Sequence, residues 1–514
     1  MTHGAALLWT AANAGVEICF ANPGTTELPL VLAFDEAPGV RPVLCLFEGV
    51  CTGAADGYGR MNDLPALTLL HLGPGFANGI ANVHNANRAC SPLVNIIGDH
   101  ASWHRAANAP LQADIESLAR PVSSWVRTTA AAPELSKDMA EAILAARTPP
   151  GQVATLIAAN DYLLGAGGIP FAALAVPGAK AVDQAAIDTV AKVLRSGQPA
   201  AMLLGGPALR ERSLRAAGRI AEKTGCRLFS ERAATRLERG AGLPELERFA
   251  YFPEQVLDSV KDARRLILVG TGKPVAFFGY PGKPSYLVPD GVQVDSLAAA
   301  GEDVAGALEA LAEALGAGSE VRRPAALQPP AKPSGRLTPE TLAAAIAAVQ
   351  PENAIVVDES ITNTAIYFDA SAHSPRHSYL YVTGGAIGFG MPAATGASVA
   401  CPERAVINIE ADGSAMYTLQ SLWTQAREQL NVTTIICANR GYKILAIEVR
   451  RAGVETPGPR TARLADLSDP PLDWVHLAKG MGVPAVAVDT ADSLVREIER
   501  ALAEPGPHLI EAVL

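Results

Sequence analysis

The chain has 514 residues, of which 49% are hydrophobic and 18% charged, and its formal net charge is −10. This composition is typical of a folded globular protein, and the length indicates several domains rather than one core. The mixed, net acidic charge argues against nucleic acid as a partner. Seven scattered cysteines without a CxxC pair indicate reduced thiols and a cytoplasmic protein. We find no export signal and no apolar run of membrane-spanning length.

Strand-like apolar runs alternate with alanine-rich helical segments along the whole chain. This alternation predicts an α/β fold made of three doubly wound parallel-sheet domains. Stretches rich in proline, glycine and alanine at 165–180 and 318–335 predict linkers. We therefore expect an N-terminal domain over 1–164, a central domain over 181–317 and a C-terminal domain over 336–514.

In the first third, Glu48 follows the apolar run Val43–Phe47, predicted as a strand, and begins a helix of small residues. Such apolar neighbours remove water from a carboxyl group, which suits a catalytic acid or base. Taken alone, the pattern favours a solvated glutamate that interacts with the helix dipole. His71 ends the predicted strand Ala66–His71, where an imidazole can serve a substrate or be a hydrogen-bonded structural residue.

In the last third, polar side chains follow two predicted strands. Asp412 comes shortly after Ala405–Ile409, and Asn439 ends Val432–Ala438. Open α/β sheets bind ligands at these carboxyl ends. A carboxylate, an amide oxygen and the backbone carbonyl near Gly441 are hard ligands that Mg²⁺ accepts when phosphate oxygens and water complete its shell.

Gly413 and Ser414 directly follow Asp412 and open a predicted helix. Their N–H groups and the serine hydroxyl can face an anionic phosphate. An Asp-Gly-Ser sequence by itself is more often a turn with an aspartate N-cap. Its spacing to a strand-terminal asparagine is what favours a diphosphate site.

Together these motifs resemble those of thiamine diphosphate enzymes of the acetolactate synthase, pyruvate oxidase and benzoylformate decarboxylase superfamily. The resemblance extends over nearly the whole chain, and one departure is Ala411, where the family usually has glycine. The segments that carry it are Asn22–Pro29, Glu48–Gly49, Ala54–Arg60, Gly384–Pro392, Asp412–Asn439 and Tyr442–Arg451.

The resemblance implies a role for each of these segments. Glu48 would hydrogen-bond the aminopyrimidine ring of thiamine diphosphate and so start proton loss from the thiazolium ring. The Mg²⁺ ligands would be Asp412, Asn439 and Gly441. The remaining cofactor contacts would come from Gly385, Ile387 (which props the rings apart), Gly413, Ser414, Tyr442, Thr362 and Asn363. The last two also fit ordinary helix caps.

Thr25, His71 and Gln112 match positions that line the reaction centre in relatives. Two features of benzoylformate decarboxylase are missing: its first-loop serine is Thr25 here, and its second histidine aligns near Gly279. The consecutive histidines of pyruvate decarboxylase are absent as well. We find no match to the flavin-contacting arginines of acetolactate synthase, and we predict that FAD is not a cofactor.

We therefore predict decarboxylation of a 2-oxo acid followed by carboligation to an acceptor carbonyl, as in acetolactate synthase, because Tyr442–Arg451 resembles that branch. The alternative is a non-oxidative decarboxylase of the benzoylformate type, which the Asn22–Pro29 loop favours. A non-catalytic relative that only binds cofactor is disfavoured by the presence of Glu48, Asp412 and Asn439. The resemblance also implies a homodimer or homotetramer with active sites between subunits, acting on a small molecule and not at a membrane.

Overall fold

A computed structural model describes residues 1–514. The chain is α/β with three sheets of six, five and seven strands. All strand pairs are parallel except one. The predicted fold class is therefore confirmed. None of the helices combines the length and the apolar character needed to cross a membrane.

The first sheet has the strand order β2-β1-β3-β4-β6-β5. Its strands are β1 (Ile18–Asn22), β2 (Arg41–Leu44), β3 (Ala66–His71), β4 (Leu93–Asp99), β5 (Trp125–Thr128) and β6 (Val153–Ala159). The helices of this region are α1 (His3–Asn13), α2 (Leu28–Glu36), α3 (Glu48–Asn62), α4 (Leu72–Ala89), α5 (Ile115–Ala119), α6 (Leu135–Arg147) and α7 (Asn160–Leu164). Apolar side chains cover both faces of this sheet, as parallel sheets require.

The second sheet has the order β10-β8-β7-β11-β12. The strands of the middle region are β7 (Ala200–Leu204), β8 (Arg227–Ser230), β9 (Leu237–Arg239), β10 (Glu247–Arg248), β11 (Arg265–Val269) and β12 (Gln293–Ala298). Its helices are α8 (Gln184–Arg195), α9 (Glu211–Thr224), α10 (Pro253–Ser259) and α11 (Val304–Ala314).

The third sheet has the order β17-β18-β16-β15-β13-β14-β9, and β9 joins it as the one antiparallel strand. The other strands are β13 (Ile355–Glu359), β14 (His377–Tyr381), β15 (Val406–Ala411), β16 (Val432–Ala438), β17 (Ala485–Val488) and β18 (His508–Val513). The helices are α12 (Pro339–Val349), α13 (Thr364–Ala370), α14 (Gly390–Ala400), α15 (Asp412–Ala415), α16 (Ser421–Glu428), α17 (Lys443–Arg451), α18 (Pro459–Arg463), α19 (Trp474–Gly480) and α20 (Ala491–Ala503).

The first and third sheets meet through α3 and α14, whose backbones touch. A Cβ atom added to Gly396 would lie 1.8 Å from the carbonyl oxygen of Ala54, and one on Gly57 would lie 2.1 Å from that of Ala393. Only glycine permits this approach. The helix pair sets the distance between the two sheet edges that carry the predicted site residues.

Candidate active site

Glu48 is the first residue of α3 and is only 7% exposed. The strand predicted over Val43–Phe47 is wrong at its end, because β2 stops at Leu44 and Cys45–Phe47 connects it to the helix. The only hydrogen bond to the Glu48 carboxylate comes from Asn78 Nδ2, at 3.1 Å. No motif in the sequence singles out Asn78. This carboxylate is therefore desolvated and holds an unused acceptor oxygen.

His71 ends β3, as predicted, and its ring is tied to a buried glutamate that the sequence did not assign a role. The Nδ1 atom lies 2.7 Å from Glu27 Oε2 and 3.1 Å from Thr26 Oγ1. Glu27 has no exposed surface and also accepts the N–H of Gly24 at 2.9 Å. Since Nδ1 is occupied by the carboxylate, Nε2 is the ring atom left for other partners. Glu27 could have been found from the sequence, because it lies within the Asn22–Pro29 motif.

Thr25 and Gln112 flank the same edge of the first sheet. Thr25 is exposed and begins a short 3₁₀ turn after β1. Gln112 is half-buried, and its Oε1 atom is enclosed without a hydrogen-bond partner. Its neighbour Ala113 packs on Gly73, two residues beyond His71. These predicted residues therefore gather around one sheet edge.

The predicted Mg²⁺ ligands lie together at the carboxyl ends of β15 and β16. Asp412 Oδ1 accepts the N–H of Gly413 at 2.9 Å, and its Oδ2 accepts the N–H of Arg440 at 2.6 Å. Asn439 Oδ1 accepts the N–H of Gly441 at 3.0 Å. Burial raises the pKa of the Asp412 carboxyl group, while these N–H bonds oppose the rise. One carboxylate and one amide oxygen leave most of a Mg²⁺ shell for phosphate and water.

The groups around this pair fit a diphosphate. Ser414 is buried in α15, and the Tyr442 ring lies over Gly413, 2.4 Å from where a Cβ atom would be. Asn363 is 2% exposed, and its Nδ2 donor has no hydrogen-bond partner. A buried unsatisfied donor costs free energy, which an anionic ligand would recover. Thr362 is half-buried beside it.

The segment Gly384–Gly388 is held against α4. Asn85 Nδ2 donates to the Ala386 carbonyl at 2.8 Å, and Asn82 Nδ2 donates to the Gly388 carbonyl at 3.0 Å. Gly385 has a φ of +77° and is exposed. Phe277, from the middle region, lies against it, 2.6 Å from where a Cβ atom would be. Ile387 is half-buried at the end of this cradle.

Two carboxyl groups are buried directly behind the cradle. Glu359 accepts N–H bonds from Gly388, Phe389 and Gly390, and Glu410 lies beside it on the neighbouring strand. Burial raises the pKa of Glu359 to about 7. It raises the pKa of Glu410 well above its usual range, and the charge of Glu359 raises it further. The three N–H bonds favour ionised Glu359, so Glu410 is the member that keeps the proton.

Three strand ends at the candidate site carry left-handed backbone. Leu72 follows His71 with φ +53°, Ile361 follows Ser360 with φ +55°, and Arg440 follows Asn439 with φ +56°. Such conformations are unfavourable for residues with a Cβ atom, most of all for β-branched isoleucine. They persist here at the turns that present polar side chains at the sheet edges.

A separate cavity of about 550 Å³ lies between the first and second sheets. It is lined by Arg88, Arg210, Glu231, Gly270 and other residues, and none of the predicted site residues is among them. Most of its arginines already have protein partners, as Arg210 has in Asp63. The candidate active site therefore rests on the polar clusters and the cradle, not on this cavity.

Comparison with known proteins identifies the family. The family described as "Thiamine pyrophosphate enzyme, N-terminal TPP binding domain" matches residues 1–118, and its C-terminal TPP binding domain matches residues 361–512. IlvX of Mycobacterium tuberculosis, provisionally named an acetolactate synthase large subunit, is 49% identical over 100% of this chain and 99% of its own.

Two benzoylformate decarboxylases are also similar. The enzyme of Pseudomonas aeruginosa is 30% identical over 97% of this chain and 96% of its own. The structure of the 4-hydroxybenzoylformate decarboxylase of Rhodococcus jostii RHA1 matches with a TM-score of 0.87 at 25% identity, covering 100% of this chain and 99% of that one. The chain therefore belongs to the thiamine diphosphate-dependent enzyme family of acetolactate synthases and benzoylformate decarboxylases.

Proposed function

We propose that this protein decarboxylates a 2-oxo acid with thiamine diphosphate and Mg²⁺, and joins the remaining fragment to an acceptor carbonyl. The observation that carries the proposal is the desolvated Glu48 carboxylate, together with the Asp412 and Asn439 oxygens at the other sheet edge. Bound thiamine diphosphate would supply the electron sink that loss of CO₂ requires.

The chain's own residues would divide the work as follows. Asp412, Asn439 and the Gly441 carbonyl would bind Mg²⁺ with the diphosphate oxygens. Asn363 would use its unpaired buried donor on the diphosphate. Ser414, Gly413, Tyr442 and Thr362 would surround the same group, and Gly385 and Ile387 would hold the rings. Glu48 would accept the hydrogen bond that orients the aminopyrimidine.

His71 would act on the substrate side of the site. Because Nδ1 donates its hydrogen to Glu27 over 2.7 Å, the imidazole is fixed in orientation and the Nε2 lone pair is left to accept a hydrogen bond from the substrate. Thr25 and Gln112 would line the same space. The unpaired Gln112 Oε1 atom is suited to accept a hydrogen bond from a bound molecule.

We also propose that each site is shared between two subunits of a dimer or tetramer. The Glu48 carboxylate contacts α4 at Asn78, whereas the cradle of the same chain contacts α4 at Asn82 and Asn85. Exposed leucines rim the Glu48 edge and are suited to burial by a partner subunit: Leu28, Leu32 and Leu46.

Subunit complementation tests the shared site. Mixing Glu48→Gln chains with Asp412→Asn chains should restore part of the activity, because one of the two sites in each hybrid dimer would be intact. Either variant alone would stay inactive. If each chain formed its own site, the mixture would be as inactive as its parts, although light scattering still showed a dimer.

Carboligation and simple decarboxylation differ in what happens to the fragment that remains after the 2-oxo acid loses CO₂. Two observations support carboligation. One is the 49% identity to IlvX. The other is that Phe277-Phe278-Gly279 stands where benzoylformate decarboxylase has its second histidine. Simple decarboxylation is the second candidate, favoured by the Glu27–His71 pair, which can hold a proton near the substrate.

The holoenzyme should be incubated with a panel of aliphatic and aryl 2-oxo acids, with and without an added acceptor aldehyde. The carboligase proposal predicts CO₂ release with a 2-hydroxy ketone when an aldehyde is the acceptor, or a 2-hydroxy-3-oxo acid when a second 2-oxo acid is the acceptor. Aldehyde as the sole product would support the second candidate, and no CO₂ from any 2-oxo acid would overturn both. The absorption spectrum of the purified protein checks the predicted absence of FAD.

We place this reaction in the cytoplasm. All seven cysteines are free thiols, and five of them are buried. Proteins that keep free thiols are typical of reducing compartments. Fluorescence microscopy of a tagged chain would check this.

A further inference from the structure

The turn that follows Ile387 is held from behind by one carboxylate. Glu359, the last residue of β13, is fully buried. It accepts the N–H groups of Gly388 at 3.0 Å, Phe389 at 2.9 Å and Gly390 at 2.8 Å. Hydrogen bonds to an ionised acceptor are roughly twice as strong as neutral ones, and the carboxylate also faces the N-terminus of α14. Three such bonds fix the peptide planes directly after Ile387.

The other side of the same turn is held as well. The Gly388 carbonyl accepts from Asn82 Nδ2 at 3.0 Å and from Thr418 Oγ1 at 3.1 Å. Gly388 itself has a φ of +91°, which glycine adopts readily. A β-branched side chain on a fixed backbone has few rotamers. The direction of the Ile387 side chain is therefore set by these contacts.

Glu359 and Glu410 are register partners on the neighbouring strands β13 and β15, so both side chains point to the same face of the sheet. A Cβ atom on Gly390 would lie 2.1 Å from Glu410 Oε1, so the start of α14 is pressed against this pair. Burying two carboxyl groups together costs stability, and an apolar pair of similar volume would serve the core as well. The three N–H bonds from the cradle turn to Glu359 therefore indicate a positioning role for this residue.

We propose that Glu359 is a positioning residue for the cofactor: it holds the Gly388–Gly390 turn so that Ile387 keeps the bound rings in their reactive arrangement. This inference rests on the proposed function, in which Ile387 contacts thiamine diphosphate. Glu410 lies beside Glu359 on the neighbouring strand and makes none of the three hydrogen bonds to the turn.

The test compares Glu359→Gln with the matched variant Glu410→Gln. In Glu359→Gln an amide NH₂ must face at least one of the three backbone N–H donors, so the turn is released. In Glu410→Gln the three N–H bonds to Glu359 are kept, and the turn stays in place. Both variants replace one buried carboxyl group by an amide of nearly equal size, and each must remain folded at the assay temperature for the comparison to be made.

The readout is deuterium exchange at thiazolium C2 of saturating bound cofactor, followed by NMR, with cofactor affinity and unfolding temperature measured beside it. Misplacement by about 1 Å costs on the order of 100-fold in rate, which is the loss expected for Glu359→Gln. Glu410→Gln should stay within about threefold of wild type, the scatter usual for a contact that is kept.

Equal exchange rates in Glu359→Gln and wild type, or equal losses in both variants, would overturn the positioning role. Failure of the wild type to bind thiamine diphosphate or to exchange C2 would instead overturn the proposed function, and the two outcomes are thus distinct.

Discussion

The change Asp56→Asn removes the charge from an ion pair that joins all three regions of the chain. Asp56 and Arg60 lie one turn apart on α3 with no side-chain exposure, at N–O distances of 2.6 and 2.8 Å. Arg60 also donates to the Tyr381 carbonyl at 2.8 Å and to the Thr235 carbonyl at 3.3 Å, and its guanidinium lies 4.4 Å from the Phe389 ring centre. The substitution would leave a buried guanidinium without its counter-charge.

Breaking a buried pair from one side costs about 3–5 kcal/mol of unfolding free energy, and we expect Asp56→Asn to fall in this range. The assay is urea unfolding followed by tryptophan fluorescence and circular dichroism. The matched control is Asp258→Asn, whose partner Lys261 lies on the surface, with side-chain exposures of 60% and 71%. The control should leave the unfolding midpoint unchanged. A loss below about 1 kcal/mol for Asp56→Asn would refute the reasoning, because it would mean that the guanidinium is not desolvated.

Three further predictions concern acid stability, helix contact and metal binding. Burial lowers the pKa of His377 from 6.5 to about 3, so protonation of this imidazole favours the unfolded state. The free energy of unfolding should therefore fall as the pH drops from 6.5 toward 3, by about 1.4 kcal/mol per pH unit. His377→Gln should flatten that slope in urea titrations at several pH values, and unchanged slopes would contradict the assignment. Gly396→Ala should lower the thermal midpoint because its Cβ atom would lie 1.8 Å from a carbonyl oxygen of α3, whereas Gly480→Ala, with nothing within 4 Å, should not. Asp412→Asn, or chelation of Mg²⁺, should weaken thiamine diphosphate binding about 10- to 100-fold by calorimetry, and unaltered affinity would remove Asp412 from the metal site.

Local apolar patterns predict the strands well where a continuous run ends at a polar residue. Ala66–His71 and Val432–Ala438 are strands with the predicted bounds at both ends. The strand predicted over Val43–Phe47 is wrong at its end, because the chain leaves the sheet after Leu44 and Cys45–Phe47 leads into α3. An apolar run does not by itself distinguish a strand from a connection, and Leu46 in this connection is exposed.

The sequence alone does not predict which residues far apart in the chain contact each other. Glu27 and His71 are far apart in the chain, and only the order of β1, β3 and β4 in the sheet brings them together. The same holds for Glu359 and Glu410, which the motifs did not single out. Two acids within apolar strands carry no periodic signal, and their pairing follows from the register of β13 and β15. The positions of single residues at strand ends were therefore predictable from the sequence, while their partners across strands were not.

We propose that Glu48 starts the cofactor chemistry. The most direct measurement is the rate of deuterium exchange at C2 of bound thiamine diphosphate in Glu48→Gln, at saturating cofactor and Mg²⁺. Loss of a positioned acid–base group typically costs about 10²- to 10⁴-fold, so the exchange rate should fall by that factor while the variant still folds and binds cofactor. An exchange rate equal to that of the wild type would contradict the account.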